Sequence, residues 1–103
     1  MRGEVWDIDL PRAGPHPGVV LTVNALVGRM SEVTVAMITG SAGPRSTRIP
    51  IGPDAGVTLY AESYVDATSV RTVPLAILTG RRGRIAPQEM SAVEQALRLV
   101  LGL

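Results

Sequence analysis

EVWDIDL, residues 4–10, sets Trp6, Ile8 and Leu10 in alternation with Asp7 and Asp9. A period of two sends one face into a core and the other into water, which predicts a β-strand. The segments that follow have the same short, punctuated character. PRAGPHPG (11–18) reads as a Pro/Gly loop, and VVLTV (19–23), rich in β-branched residues, as a buried strand. NALVGRM (24–30) has the makings of one helical turn with Asn24 as its cap. EVTVAMIT (32–39) is a further strand. GSAGPRS (40–46) is a second flexible loop carrying Arg45, and it leads into the short strand TRIPI (47–51).

GPDAG (52–56) predicts a turn, and VTLYAESYVD (57–66) and TSVRTV (68–73) predict two more strands. PLAIL (74–78) suits a helical turn with Pro74 at its first position, and RRGR (81–84) leads into a closing helix. That helix has the clearest signals. Pro87 fits a first helical position, Glu89 favours the positive end, and Gly102 marks the stop. Met90, Val93, Leu97, Val100 and Leu101 recur at helical spacing as an apolar face. Ala86 is a weak cap, which predicts a frayed first turn. Five or six short strands followed by one helix predict a mainly β (α+β) fold: a small, strongly curved sheet forming a partly open barrel with the helix packed on it.

A chain of 103 residues, 1–103, predicts one domain with one core. With no cysteine and one histidine, neither a disulfide framework nor a thiolate or multi-histidine metal site is available within one chain. No cofactor is expected. MRGEVW opens without an apolar signal core, and VVLTVNALV (19–27) is too short to span a bilayer, so the expectation is a soluble, cytoplasmic protein. The mean hydropathy of +0.25 is high for a small soluble monomer and predicts apolar surface hidden in a homodimer.

The net charge of +1 does not announce a nucleic-acid binder, but residues 10–53 carry Arg12, Arg29, Arg45 and Arg48 against Glu32 alone. All ten basic residues are arginine, the better bidentate partner for phosphate; a codon bias across the whole chain has the same effect.

At RGEVWDIDL (2–10) the chain begins to resemble toxins of the MazF/PemK type. The likeness continues through HPGVVLTVNAL (16–26), VTVAMITGS (33–41), ATSVRTVP (67–74) and GRIAPQEMSAVEQALRLVLGL (83–103), in order and nearly end to end. The resemblance implies an SH3-like barrel acting as a homodimer. It implies a metal-independent endoribonuclease that cuts single-stranded RNA at a short sequence, and a cognate antitoxin protein that blocks the RNA groove. In that family the ribose 2′-OH attacks the adjacent phosphorus and a 5′-hydroxyl end is released. An arginine before the second strand and a threonine ending the third serve the step.

Carried over by position, the threonine is Thr39, and the arginine position holds His16. PRAGPHP is shorter than the usual loop, and Ser69 stands where the family usually has glutamine. Histidine titrates near neutrality, with a pKa of about 6.5, so His16 is a competent proton acceptor but a weaker permanent phosphate clamp than arginine. The clamp then falls to Arg12 or Arg45, with Ser41 and Ser69 as further RNA contacts. Each has a plainer reading. His16 is a solvated turn residue, Thr39 bonds its own backbone, and Arg12 and Arg45 are loop charges. Arg71 is expected to pair with Asp66 or Asp7, and RRGR to be a solvated turn. Trp6 is assigned to core or interface, which leaves Tyr60 and Tyr64 as the remaining candidates for base stacking. Two other functions stay open. One is a weakened or inactive relative that only binds antitoxin or RNA. The other is a gyrase-binding toxin like CcdB, which shares this fold.

Overall fold

The computed structural model describes all of residues 1–103. Six strands form one antiparallel sheet: β1 (Glu4–Leu10), β2 (Gly14–Val20), β3 (Glu32–Thr39), β4 (Arg48–Ile51), β5 (Ser63–Pro74) and β6 (Leu78–Arg84). They lie in the order β4-β5-β3-β2-β1-β6. A four-residue helix, α1 (Asn24–Val27), joins β2 to β3, and α2 (Pro87–Leu101) closes the chain. Single 3₁₀ turns occupy Pro53–Ala55 and Leu75–Ile77. No helix is long and apolar enough to cross a membrane.

The alternation in β1 sorts side chains into two apolar clusters. Val5, with Val19, Ala36, Ile38, Val65, Val93 and Ala96, packs between the sheet and α2. Ile8 and Leu10 pack with Val20, Val33, Val35, Met37 and Val73 on the opposite face, where Trp6 is half-buried. Ile8, Val5, Val19 and Val93 are fully buried.

Several expectations are corrected. PRAGPHPG is not all loop, because β2 starts at Gly14 and pairs Pro15 with Asp9, His16 with Ile8 and Pro17 with Asp7. The β2–β3 ladder, by contrast, begins only at Gly18–Met37. Strand parity turns the backbone of Pro15 and Pro17 toward β3, and a proline has no N–H to offer there. The ladder therefore stops where the prolines begin.

Residues 57–66 and 68–73 are not two strands: β5 runs unbroken from Ser63 to Pro74. Its register against β3 jumps from Ile38–Val65 to Ala36–Val70, which leaves Asp66–Ser69 as extra residues opposite Met37. RRGR belongs to β6, an edge strand paired only with β1. Its arginines are tied rather than free in a turn. Arg81 Nε lies 3.1 Å from Glu4 Oε2, and Arg82 Nη2 lies 2.8 Å from Asp7 Oδ2. Asp66 pairs with Arg48, so Arg71 has neither expected partner and stands exposed.

Asn24 does not cap α1, since the N-cap is Val23 with no side-chain bond. Its Oδ1 accepts instead from the Met1 ammonium at 3.1 Å and the Arg2 N–H at 2.9 Å. The first turn of α2 is held despite Ala86. Glu89 reaches back to accept the Ala86 N–H at 2.7 Å, and its other oxygen accepts the Gly52 N–H at 2.7 Å. Gly102 ends the helix at φ 72°, a left-handed stop that glycine adopts without strain. The buried stripe is Val93 and Ala96 with Met90 and Leu97 beside it. Val100 and Leu101 are exposed, so the apolar face is shorter than its periodicity implied.

Candidate active site

His16 and Ile8 are opposite one another on β2 and β1, so both project to the face carrying Leu10 and Met37. Thr39 shares that face, two residues beyond Met37 on β3. The β2–β3 ladder, Val20–Val35, Val19–Ala36, Gly18–Met37, ends two residues short of His16 on β2 and of Thr39 on β3. The proline-terminated ladder leaves no backbone rung between them. Two residues 23 apart in sequence thus share one sheet face, each two residues past the last rung of the ladder.

Each is held locally. His16 Nε2 lies 3.1 Å from the Ala13 carbonyl. A carbonyl only accepts, so Nε2 carries the hydrogen and the free lone pair of the neutral ring is on Nδ1. Thr39 Oγ1 accepts the Ser41 N–H at 3.2 Å, which turns the chain into the following loop. The hydroxyl hydrogen of Thr39 stays available to a further acceptor.

That loop is tied down by Arg48, a residue with no role in the sequence reading. Its Nη1 donates to the Ser41 carbonyl at 2.6 Å, and its Nε lies 3.4 Å from Asp66 Oδ2. Asp66 also accepts from the Thr68 N–H at 2.9 Å and from Thr68 Oγ1 at 2.6 Å. One ion pair therefore joins the Thr39–Ser41 corner to the inserted residues of β5, where Ser69 lies half-buried. The sequence signal for it was an arginine at the start of a strand and an aspartate followed two residues later by threonine.

Arg12 is at the tip of the β1–β2 hairpin, exposed, with φ 66°. A left-handed non-glycine residue is an uncommon, strained backbone conformation. Arg45 is exposed on the β3–β4 loop and lines a cavity of about 370 Å³ with Tyr60, Glu62 and Tyr64. A second cavity, of about 440 Å³, lies behind His16, lined by Pro15, Pro17, Leu59, Asp7 and Arg82. His16 and Thr39 share one sheet face and Ser41 is bonded to Thr39, while Arg12 and Arg45 are exposed on separate loops.

Electrostatics at the sheet edge are set by pairing. The Trp6 indole N–H donates to Glu4 Oε1 at 3.1 Å and, with Arg81 assisting, holds the Glu4 carboxyl below the usual carboxylate range against the opposing effect of burial. The Tyr64 hydroxyl donates to Glu62 Oε2 at 2.6 Å, and that bond pushes the phenol pKa up, so Tyr64 keeps its proton. No group of three or more His, Cys, Asp and Glu side chains is arranged to hold a metal ion.

The family profile of PemK-like, MazF-like toxins of type II toxin–antitoxin systems matches residues 1–101. The chain belongs to this toxin family. A curated relative, the probable endoribonuclease MazF5 of Mycobacterium tuberculosis, is 31% identical over 97% of this chain and 91% of its own. An endoribonuclease from a mycobacterial species, solved with its cognate antitoxin, is 26% identical, with a TM-score of 0.89 over 100% of this chain and 95% of that one. Another mycobacterial endoribonuclease structure is 25% identical, with a TM-score of 0.86 over 100% and 91%. The expected fold of this PemK/MazF-family toxin, a mainly β sheet with a C-terminal helix, is the fold observed.

Proposed function

We propose that this toxin is an endoribonuclease that cleaves single-stranded RNA at short sequences through the ribose 2′-OH, as one domain spanning residues 1–103. The observation that carries the chemistry is that His16 and Thr39 share one sheet face, each two residues past the last β2–β3 rung. His16 Nδ1 accepts the 2′-OH proton while the 2′-oxygen attacks the adjacent phosphorus. The Thr39 hydroxyl donates to a non-bridging phosphate oxygen as charge develops on the phosphorane. The bond from phosphorus to the 5′-oxygen breaks, and that oxygen takes a proton from solvent to leave as a 5′-hydroxyl. The other fragment ends in a 2′,3′-cyclic phosphate. Arg12, Arg45, Ser41 and Ser69 contact the RNA strand. No step calls for a metal or cofactor.

The partners are single-stranded RNA, a cognate antitoxin and a second copy of the chain, in the cytoplasm. Val23, Leu26 and Met30, all nearly half exposed, support the homodimer as its apolar contact.

The test is purified protein on a long single-stranded RNA in EDTA, with His16→Ala and Thr39→Ala in parallel and the cut ends mapped. Discrete cuts with 5′-hydroxyl ends, lost in both variants, are expected. Cutting that survives His16→Ala returns the histidine to a turn residue. The hydrogen bonds that tie His16 to Ala13 and Thr39 to Ser41 favour a second reading, a toxin with weakened catalysis. His16→Arg decides between them: activity appearing only in that variant makes the native chain a degenerate nuclease. No cutting by any variant, with gyrase trapped on DNA, replaces the reading altogether.

A further inference from the structure

The cavity lined by Tyr60, Glu62 and Tyr64 has the chemistry of a base-reading pocket. Tyr64 is the cross-strand partner of Thr39, with directly opposed side chains about 5 Å apart at Cβ in such pairs. Tyr60 lies over Gly40, the next residue of the chain; a Cβ on Gly40 would stand 2.5 Å from Tyr60 Cδ1. The missing side chain of glycine leaves the room that the Tyr60 ring occupies. Both tyrosines line about 370 Å³ of space, within the usual range of small-ligand sites, together with Arg45, Pro50 and Glu62.

Two of the chain's three aromatic residues thus line one cavity and adjoin the Thr39–Gly40 corner, beside one cation and one carboxylate. The Glu62 carboxylate is pre-set. Tyr64 Oη donates to one oxygen at 2.6 Å, which fixes the group's orientation and leaves lone pairs on both oxygens unused. A carboxylate reads paired N–H donors, a guanidinium reads paired acceptors, and a tyrosine face takes any base. Guanine offers N1–H and N2–H side by side on one edge, with O6 and N7 as acceptors on the adjoining edge. Adenine and cytosine offer a single exocyclic donor next to an acceptor, and uracil a lone N–H between carbonyls.

We propose that this cavity is a nucleobase subsite that takes a guanine next to the cut, with Glu62 and Arg45 reading its edges and Tyr60 stacking on its face. Tyr64 is a positioning residue that acts through Glu62. The subsite rests on the endoribonuclease reading for its place beside a cut, but its occupancy is measured without cleavage.

Short 2′-O-methyl RNA oligomers, which lack the nucleophile, are titrated against the wild-type protein in matched sets with one central guanosine or inosine. Inosine differs only in lacking the 2-amino group. Wild type binds the guanosine set about tenfold more tightly or better, as expected for a lost hydrogen bond to a charged acceptor. In Glu62→Gln the difference shrinks toward one, and in Tyr64→Phe, which retains the ring, it falls part-way. Equal binding of the two sets by wild type, no binding of either, or full discrimination retained in Glu62→Gln overturns the subsite. The inosine exchange leaves the protein untouched, so the wild-type comparison is free of any folding effect, and an unchanged far-UV spectrum and unfolding midpoint are required of each variant. Cut-site mapping on natural RNA reads the nuclease separately. Guanine-dependent binding without cleavage sinks the nuclease and leaves the pocket; cleavage without guanine beside the cuts does the reverse.

Discussion

Glu89, in the first turn of α2, accepts the backbone N–H of Gly52 from the end of β4 at 2.7 Å. With its other oxygen on Ala86 N–H it both caps the helix and fastens it to the sheet. Glu89→Ala frees two backbone donors at once. A loss of about 2 kcal/mol is expected, since hydrogen bonds to a charged acceptor contribute about 1.5–3 kcal/mol each and the site is only half-buried. Urea unfolding measures it, and an unchanged midpoint would show that the bond across to Gly52 adds nothing.

Gly83 and Gly56 interlock β6 with the 3₁₀ turn at Pro53–Ala55. A Cβ at Gly83 would stand 2.1 Å from the Asp54 carbonyl oxygen, and one at Gly56 2.1 Å from that of Arg82. Both obstacles are backbone. Gly83→Ala is expected to cost about 1–3 kcal/mol by overpacking. Gly28→Ala, with open space around it, serves as the reference and leaves the melting temperature within a degree or so. Equal melting temperatures for the two variants would contradict the close approach.

The helix face makes a graded prediction. Val93 is fully buried against Val5 and Val19, while Leu101 is 58% exposed. Val93→Asp buries an unpaired charge and is expected to unfold the protein. Leu101→Asp should leave its far-UV spectrum and unfolding midpoint near those of the wild type. The reverse order would mean that α2 packs through a different stripe.

Glu4 ties pH to stability. Its folded pKa lies below the unpaired value of 4.5, chiefly through the Trp6 indole. Its stabilising contribution is complete above 4.5 and disappears as pH falls through the lower folded value. Glu4→Gln removes that part of the acid dependence, so the wild-type and variant melting curves should converge as acid is added. A constant difference between them at every pH would rule out the Glu4 linkage.

The exposed apolar residues of the β2–β3 connection are the proposed dimer contact. Leu26, 47% exposed beside Val23 and Met30, is expected to lie within the dimer contact. Sedimentation at micromolar concentration should show a dimer for wild type and a monomer for Leu26→Glu. A wild-type monomer overturns the proposed assembly.

Local pattern was enough to read β1, β3 and α2, because each repeats its own period and ends on its own stop signal. Two-residue alternation defined 4–10, β-branched density defined 32–39, and Pro87 and Gly102 bounded the helix. The order of motifs also carried the family, and with it Thr39 and the position of His16. Other features depend on partners distant in the chain. RRGR has no apolar alternation and becomes a strand only because β1 offers both backbone groups and the carboxylates of Glu4 and Asp7. GPHP looks like a loop by composition, yet β1 pairs with it, and its prolines stop the β3 ladder on the other side. The shared face of His16 and Thr39, the anchoring of the Ser41 corner by Arg48 and the pairing of Tyr64 with Thr39 all follow from sheet register. Register is settled by burial of whole faces across strands, and no single segment contains that information.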